Sequence, residues 1–375
     1  MPQQTKISAV HQILPVLNYR DAIGNEAFLM RETLRSLGLR SELYFESSGI
    51  KGESHKMHNL HLRCTLDQVF IHHFSVGSSI PNFLAAQNAR TWTKYHNVTP
   101  PVFFTEKSDA LAVQMTTLGR KQIPLVGFTS ELILADSDYN GAELAEYCRK
   151  APITLPIFRD YDALLRIDED ASVVRFQKTH PCPTILFVGR ICPNKAQHDL
   201  IEFLYLYKKI YQKPIRLVLV GSFFSEAFKT LLMKFAKDLN LKISESLEGA
   251  DAADLIVRGS VSDSEMASWY RHSQLFFSTS DHEGFGVPIV EAMFFDLPIL
   301  AHRSSAVTET VGPAGELVDK YDRKHCLETL HYLLSNPEAS KMCETRRIAH
   351  RQKFALKQVR EQFLGILNKE FPYLF

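Results

Sequence analysis

The chain repeats one pattern: a short unbroken apolar run, then a longer stretch of helical periodicity. The second half has "PTILFVG", "IRLVLVG", "LIVRGSV" and "LFFST", and the first half "LYFE", "QVFIHHF" and "LVGFTSELILAD". Apolar runs without polar alternation suit strands buried on both faces, as happens where helices cover both sides of a parallel sheet. Helices fit between the runs, for example Asn25 to Leu37 and Leu200 to Tyr211. The expected class is therefore α/β with parallel sheets. A length of 375 residues allows two such domains. The proline- and charge-rich "PITLPIFRDYDALLRIDEDASVV" is the seam, which puts the boundary near residue 165 and gives domains 1–165 and 166–375. The last helical stretch, about Lys353 to Lys369, aligns Phe354, Leu356, Val359, Phe363, Ile366 and Leu367 on one stripe and is expected to pack back on the first domain.

Within this frame "HEGFGVPIVEAM", residues 282–293, stands out. The run Leu275-Phe276-Phe277 reads as a strand, the Ser-Thr-Ser-Asp-His stretch as a loop, and Pro288 as a first-turn residue opening a helix. A helix start offers unpaired N–H groups and the positive end of a dipole, and Gly284 and Gly286 let an anion approach. Glu283 and Glu291 then flank that anion as hydroxyl acceptors; each alone reads first as a solvated or helix-capping carboxylate, and it is their spacing that favours the ligand. In "FVGRICPNKAQHDLI", Arg190 and Lys195 sit in a loop between a strand and a helix, at the sheet edge where open α/β folds bind ligands, and a diphosphate suits two cations there.

Charge and cysteine usage exclude other classes. A formal net charge of +1 gives no global field for nucleic acid. No apolar run approaches the roughly 18 residues of a membrane span, and the first residues lack the apolar segment of a signal peptide, so a cytoplasmic protein is expected. Six cysteines without CxxC spacing suit reduced thiols.

Taken together these motifs resemble the GT-B glycosyltransferases of the family 4 type, which move a sugar from a nucleotide diphosphate with retention. Glu283 and Glu291 match the family's E-x7-E element, and "GRICPNK" its Arg and Lys loop. "RDAIGNEAFLMRETLRSLG" is similar to the first loop and helix of bacterial members, "YHNVTPP" and "LADSDYN" to interdomain-facing segments, and "AVTETVGPAGELV" to the stretch after the second glutamate. The resemblance implies two Rossmann-like domains facing across a cleft, the N-terminal one for acceptor and the C-terminal one for nucleotide sugar. It implies that Arg190, Lys195 and the Gly284, Phe285, Gly286, Val287 backbone hold the diphosphate, that Glu291 accepts from ribose, and that Glu283 meets the donor sugar. Val257, Arg258 and Gly259 would lie beside the base. In "IHHFSVGS" the resemblance places His73 near the anomeric centre, with His72 as fallback, and Asp21, Gly24 and Asn25 on a loop toward acceptor or phosphate. Arg20 departs from the glycine many members carry. The implied activity is transfer of a hexose, with mannose from GDP-mannose as first choice and UDP-sugars next, to a glycan or lipid-linked glycan acceptor in polysaccharide or O-antigen synthesis, without metal or other cofactor.

Three other readings fit parts of the sequence. "ILADSDYN" offers Asp136 and Asp138 as a metal-holding Asp-x-Asp, though capping of the following helix explains them more simply. A dinucleotide oxidoreductase needs G-x-G-x-x-G, which the chain lacks. A silent nucleotide-sugar binder keeps Arg190, Lys195 and Glu291 without needing His73 or Glu283. The basic stretches "RRIAHRQKFALKQVREQF" and "RETLRSLGLR" suggest peripheral contact with an anionic membrane face, set against the plainer reading of solvated helices.

Overall fold

The computed structural model describes residues 7–18, 21–47, 54–57, 65–104 and 109–372, with backbone only at 337 and 339–343. Two compact units emerge: unit 1 is Met1–Arg159 with Lys353–Phe375, and unit 2 is Asp160–Gln352. The seam thus falls between Arg159 and Asp160 rather than at 165. Asp160 already belongs to unit 2, because its side chain caps the helix Tyr161–Leu165 by accepting from the Ala163 N–H at 2.8 Å, and Tyr161 stacks on Phe294 at 4.7 Å. The chain's last helix, Leu356–Glu370, lies in unit 1 with the first domain. Its Val359, Phe363, Ile366 and Leu367 enter a core with Val10, Trp92, Leu134 and Phe158, where Phe363 meets Phe158 edge-on at 5.6 Å.

Unit 1 is built on β1 (Ala9–Val16), β2 (Leu43–Ser47), β3 (His55–Lys56), β4 (Gln68–Phe74), β5 (Arg90–Tyr95), β6 (Ser130–Ala135) and β7 (Ile153–Thr154). Their order is β3-β2-β1-β4-β5-β6-β7, and every pairing is parallel. Unit 2 uses β8 (Thr184–Val188), β9 (Arg216–Val220), β10 (Ile243–Ser244), β11 (Leu255–Gly259), β12 (Leu275–Ser278), β13 (Ile299–His302) and β14 (Glu316–Val318). These run parallel in the order β10-β11-β9-β8-β12-β13-β14. All residues of β8, β9 and β12 are buried, as the unbroken apolar runs require.

The strand order locates each ligand crevice. In unit 2 the chain leaves β8 toward β9 on one side and later returns to the other side at β12, so the order reverses between β8 and β12 and the loops after these two strands lie side by side at the carboxyl edge. In unit 1 the same reversal falls between β1 and β4. Open parallel sheets bind ligands at such points. Among the described residues no helix is long and apolar enough to cross a membrane.

Candidate functional site

In unit 2 the loop after β8 carries Arg190 and Lys195, and the loop after β12 carries Glu283. The two loops are stapled by Asn194, which is 5% exposed: its amide donates to the His282 carbonyl at 3.1 Å and its own carbonyl accepts the Asp281 N–H at 2.9 Å. Thr279 adds a hydroxyl bond to the Ala196 carbonyl at 2.9 Å. A buried lysine holds the second loop from its other side. The Lys320 ammonium, on a residue 1% exposed, contacts Asp199 at 2.6 Å, Asp281 at 2.7 Å and the Thr279 carbonyl at 3.2 Å. Pinned in this way, Lys195 and Glu283 meet in an ion pair with both side chains mostly shielded. Arg190 is exposed, with its guanidinium 5.0 Å over the Phe224 ring.

The helix after this loop is Val287–Phe294, capped by Gly286 at φ +94° with Pro288 in its first turn. A glycine cap contributes no side-chain acceptor, Pro288 has no N–H, and the Ile289 N–H is taken by the Gly286 carbonyl at 2.9 Å. A Cβ at Gly286 would touch Ile289 Cδ1 at 3.0 Å and strain a left-handed backbone. Gly286→Ala is therefore expected to cost about 1–2 kcal/mol in unit 2 stability, read by denaturant unfolding. Phe285 is buried and its carbonyl accepts the Thr310 hydroxyl at 2.6 Å, which leaves the turn rigid. Ser305 accepts the Glu283 N–H at 2.8 Å.

Glu291 lies one turn into the helix at 3% exposure, and one carboxylate oxygen accepts the Tyr270 hydroxyl at 2.8 Å. At the end of β11, Val257 points into the core and Arg258 is engaged with Glu265 at 2.6 Å and the Glu245 carbonyl at 2.9 Å. Gly259, at φ +60°, has open space where a side chain would stand.

Unit 1 departs from expectation at His73. The residue is on β4, but the ring is fully enclosed and both nitrogens are engaged, Nδ1 with His96 Nε2 at 3.0 Å and Nε2 with Gln12 Oε1 at 2.8 Å. His72 is also buried, its Nε2 without a partner, and burial pulls its pKa down to about 3. The ring expected to face a substrate is a link in a polar row across the sheet. The Gln12 amide donates to the Ala27 carbonyl at 3.0 Å, so its oxygen faces His73 and requires a proton on His73 Nε2. His73 Nδ1 must then accept from His96, whose own Nδ1 bonds Asp136 at 2.9 Å. His96 thus carries both protons. Burial opposes that charge, but Asp136 and Glu26 overcome it and raise the His96 pKa, whereas burial holds His73 well below the usual range and neutral. Lys94, 0% exposed, contacts Asp136 at 2.6 Å and Glu26 at 3.5 Å.

Glu26, His73 and His96 bring ligand atoms within 4.8 Å of one another, the described residues that converge as a metal set would. The proton shared by the two rings and the neighbouring ammonium occupy that space electrostatically, so the group reads as a balanced ion network. Asp136 belongs to this network rather than to a helix cap. Ser137 caps the helix Asp138–Leu144 through the Asn140 N–H at 3.1 Å, and Asp138 bonds Thr154, so the two aspartates serve separate places. Asp21 precedes the helix Ala22–Ser36, and burial raises its pKa. Gly24 has a packing reason: a Cβ there would sit 2.1 Å from the Asn18 carbonyl oxygen. The Asn25 N–H donates to the Asp21 carbonyl at 3.0 Å. Arg20 lies outside the described residues. The basic stretches are mixed: Arg347, 2% exposed, donates to the Asp296 carbonyl at 3.2 Å and Arg351 pairs with Asp296 at 2.6 Å, while Arg35, Arg40, Lys353 and Lys357 are exposed, Arg35 in a surface pair with Glu42 at 2.9 Å.

Two doubly wound parallel domains, the second with cations, a glycine-capped helix and two glutamates at its switch point, define the GT-B architecture. Residues 169–350 match the model of the family described as Glycosyl transferases group 1. Trehalose synthase from Pyrococcus horikoshii is 29% identical over 205 residues, 52% of this chain and 46% of that protein. The serotype-specific mannosyltransferase WbdA from Escherichia coli is 22% identical over 250 residues, 67% of this chain and 27% of that protein. The chain thus spans half or less of the length of these curated relatives. Among solved structures, Anabaena HepE in complex with UDP-glucose aligns over 96% of this chain and 99% of its own with a TM-score of 0.69 at 14% identity, a likeness of fold.

The sequence did not announce Gln12, Glu26, Lys94, His96, Asn194, Tyr270 or Lys320. A signal existed for some: "TWTKYH" places Lys94 among strand-forming aromatics, and Gln12 interrupts an otherwise apolar "QILPV". A polar residue inside a buried strand calls for a partner.

Proposed function

We propose that this protein is a retaining glycosyltransferase that moves a hexose from a nucleotide diphosphate sugar to a glycan or lipid-linked glycan acceptor. The convergence of Arg190, Lys195, Glu283 and the Gly286-capped helix at one switch point carries the reading. Departure of a nucleotide diphosphate builds negative charge on the leaving phosphate. Fixed cations and a helix terminus aimed at that charge stabilise it, so the reading assigns this work to protein groups rather than to a metal. Lys195 exchanges its Glu283 partner for the diphosphate, which releases Glu283 to accept from hydroxyls of the donor sugar. The Tyr270 bond orients Glu291, whose other oxygen takes ribose hydroxyls. The acceptor hydroxyl attacks on the face the leaving group vacates, and no protein nucleophile is assigned.

GDP-mannose is the first donor to test, in keeping with a mannosyltransferase relative, and UDP-glucose the second, since HepE was solved with it. A lipid-linked acceptor fits action at the inner face of a membrane in polysaccharide synthesis. The helix Ala110–Thr129 supports such contact, since it exposes Leu111, Leu118 and Phe128 and contains Arg120 and Lys121 but no acidic residue. Co-sedimentation with anionic vesicles checks it.

Thermal unfolding with GDP, UDP and NAD in turn, each with and without EDTA, tests the donor site. A nucleotide at 100 times its dissociation constant adds about 2.7 kcal/mol, several degrees for domains of this size. A GDP or UDP shift that survives EDTA supports the reading and selects the base. A shift abolished by EDTA moves the site to metal-bound chemistry, and no shift refutes it. A surviving shift without sugar release from any donor favours a silent nucleotide-sugar binder.

A further inference from the structure

The amino edge of the unit 2 sheet holds a cavity of about 520 Å³, at the opposite end of the strands from Arg190 and Glu283. Its charges are unevenly matched. Lys208 pairs with Asp254, whose second oxygen accepts the Lys242 N–H at 2.9 Å, and His180 faces Asp251 at 3.7 Å. Arg216, the first residue of β9, has no carboxylate partner among the described residues, although it is 2% exposed. Its terminal nitrogens both reach the His180 carbonyl at 3.3 Å, its Nε has no partner, and its guanidinium lies 4.5 Å over the Phe176 ring. A guanidinium has five N–H donors in a fork that fits an oxyanion, and leaving such a charge buried without a counter-ion is costly. A ring face and a shared carbonyl offset that cost only in part. Exposed Lys213 at the rim adds a second positive charge on the way in.

We propose that this cavity is a second ligand site, which binds a small oxyanion, a phosphate or carboxylate carried on a hydroxylated body, with Arg216 as its counter-ion and Lys213 at its mouth. The volume lies within the roughly 300–1,000 Å³ of small-molecule sites and suits a ligand the size of a sugar phosphate. Gln212 and Asp251 in the lining provide partners for hydroxyls. The site is distinct from the donor site and does not rest on the glycosyltransferase reading.

Cys182 lines the same cavity and is half-buried, while Cys148, also half-buried, lies in unit 1 and serves as an internal control. The test is the alkylation rate of both thiols in the full chain, read by peptide mass spectrometry, with inorganic phosphate, acetate, glucose 6-phosphate and neutral glucose. At ten times its dissociation constant the bound anion slows Cys182 about tenfold and leaves Cys148 unchanged. Phosphate against acetate identifies the head group, and glucose 6-phosphate against phosphate tests the hydroxylated body. Protection must persist in Lys195→Ala, which separates it from the donor site, and must be lost in Arg216→Met. If Arg216→Met does not fold, Lys213→Glu at the exposed rim must weaken protection several-fold. Protection that survives Arg216→Met or Lys213→Glu, protection lost in Lys195→Ala, or no protection by any anion overturns the proposal.

Discussion

Glu283→Gln is expected to lower kcat/KM about 10- to 100-fold while nucleotide diphosphate binds as tightly as before or a few-fold tighter. The opposite signs follow from the Lys195–Glu283 pair. Without ligand the two groups neutralise each other, so a diphosphate must draw the ammonium from its carboxylate. Removing the carboxylate's charge removes that competition, which favours the free nucleotide. In the proposed exchange the same substitution deletes a charged acceptor for the donor sugar, and hydrogen bonds to charged groups contribute about 1.5–3 kcal/mol. Lys195→Ala behaves differently: it is expected to weaken nucleotide binding about 10- to 100-fold and leaves Glu283 shielded without its cation. Because the partners touch, the double variant should deviate from additivity by about 0.5–3 kcal/mol. Titration calorimetry with GDP and UDP, beside initial rates, reads all three. Equal losses of affinity and turnover in Glu283→Gln would refute the exchange.

Unit 1 is expected to lose roughly 5 kcal/mol of stability between pH 7 and pH 5. Three of its histidines are held neutral by burial: His11 is pulled down to about 4, with Arg40 adding to the effect, His72 to about 3, and His73 well below the ordinary value. The unfolded chain binds a proton at each near pH 6.5 while the folded chain does not, so stability falls as pH drops below 6.5. His11 and His72 contribute about 2 kcal/mol each over that interval, and His73 adds to the loss in the same direction. Glu26, whose carboxyl burial pushes up, offsets part of the loss by taking up a proton in the folded state. His96 acts at the other end, since a raised pKa contributes stability that is complete below pH 6.5 and is lost as pH rises through its folded value. Denaturant unfolding from pH 5 to pH 8 checks the curve. His72→Phe should remove one proton from the acid slope, and it should cost little at pH 7 because the His72 Nε2 has no partner to lose. A stability curve flat from pH 7 to pH 5 would overturn this account.

Legibility in the sequence followed the kind of signal involved. "TILFV", "RLVLV" and "LFFS" are strands as their apolar runs demanded, and Pro288 does open a helix. "LVGFTSELILAD" was less legible: its first part closes the helix Ala110–Thr129 and only Ser130–Ala135 is strand. Residues five apart along an apolar run do not declare which period they obey. β1, with His11 and Gln12 inside it, was not foreseen for the opposite reason, since polar residues broke the pattern that marks a buried strand.

Local signals in the chain were enough for the parallel α/β class, the strand-loop-helix setting of Glu283 and Glu291, and the loop that carries Arg190 and Lys195. All of these depend on residues close in the chain, where periodicity and turn chemistry act directly. Folding is what brings Lys195 to Glu283 across 88 residues, and what sets Asn194, Lys320 and Tyr270 around them. It alone turned His73 from an expected substrate-facing ring into a link between Gln12 and His96. A buried charge takes its partner from whichever strand the topology lays beside it, and that neighbour is set by sheet order, which local sequence does not encode.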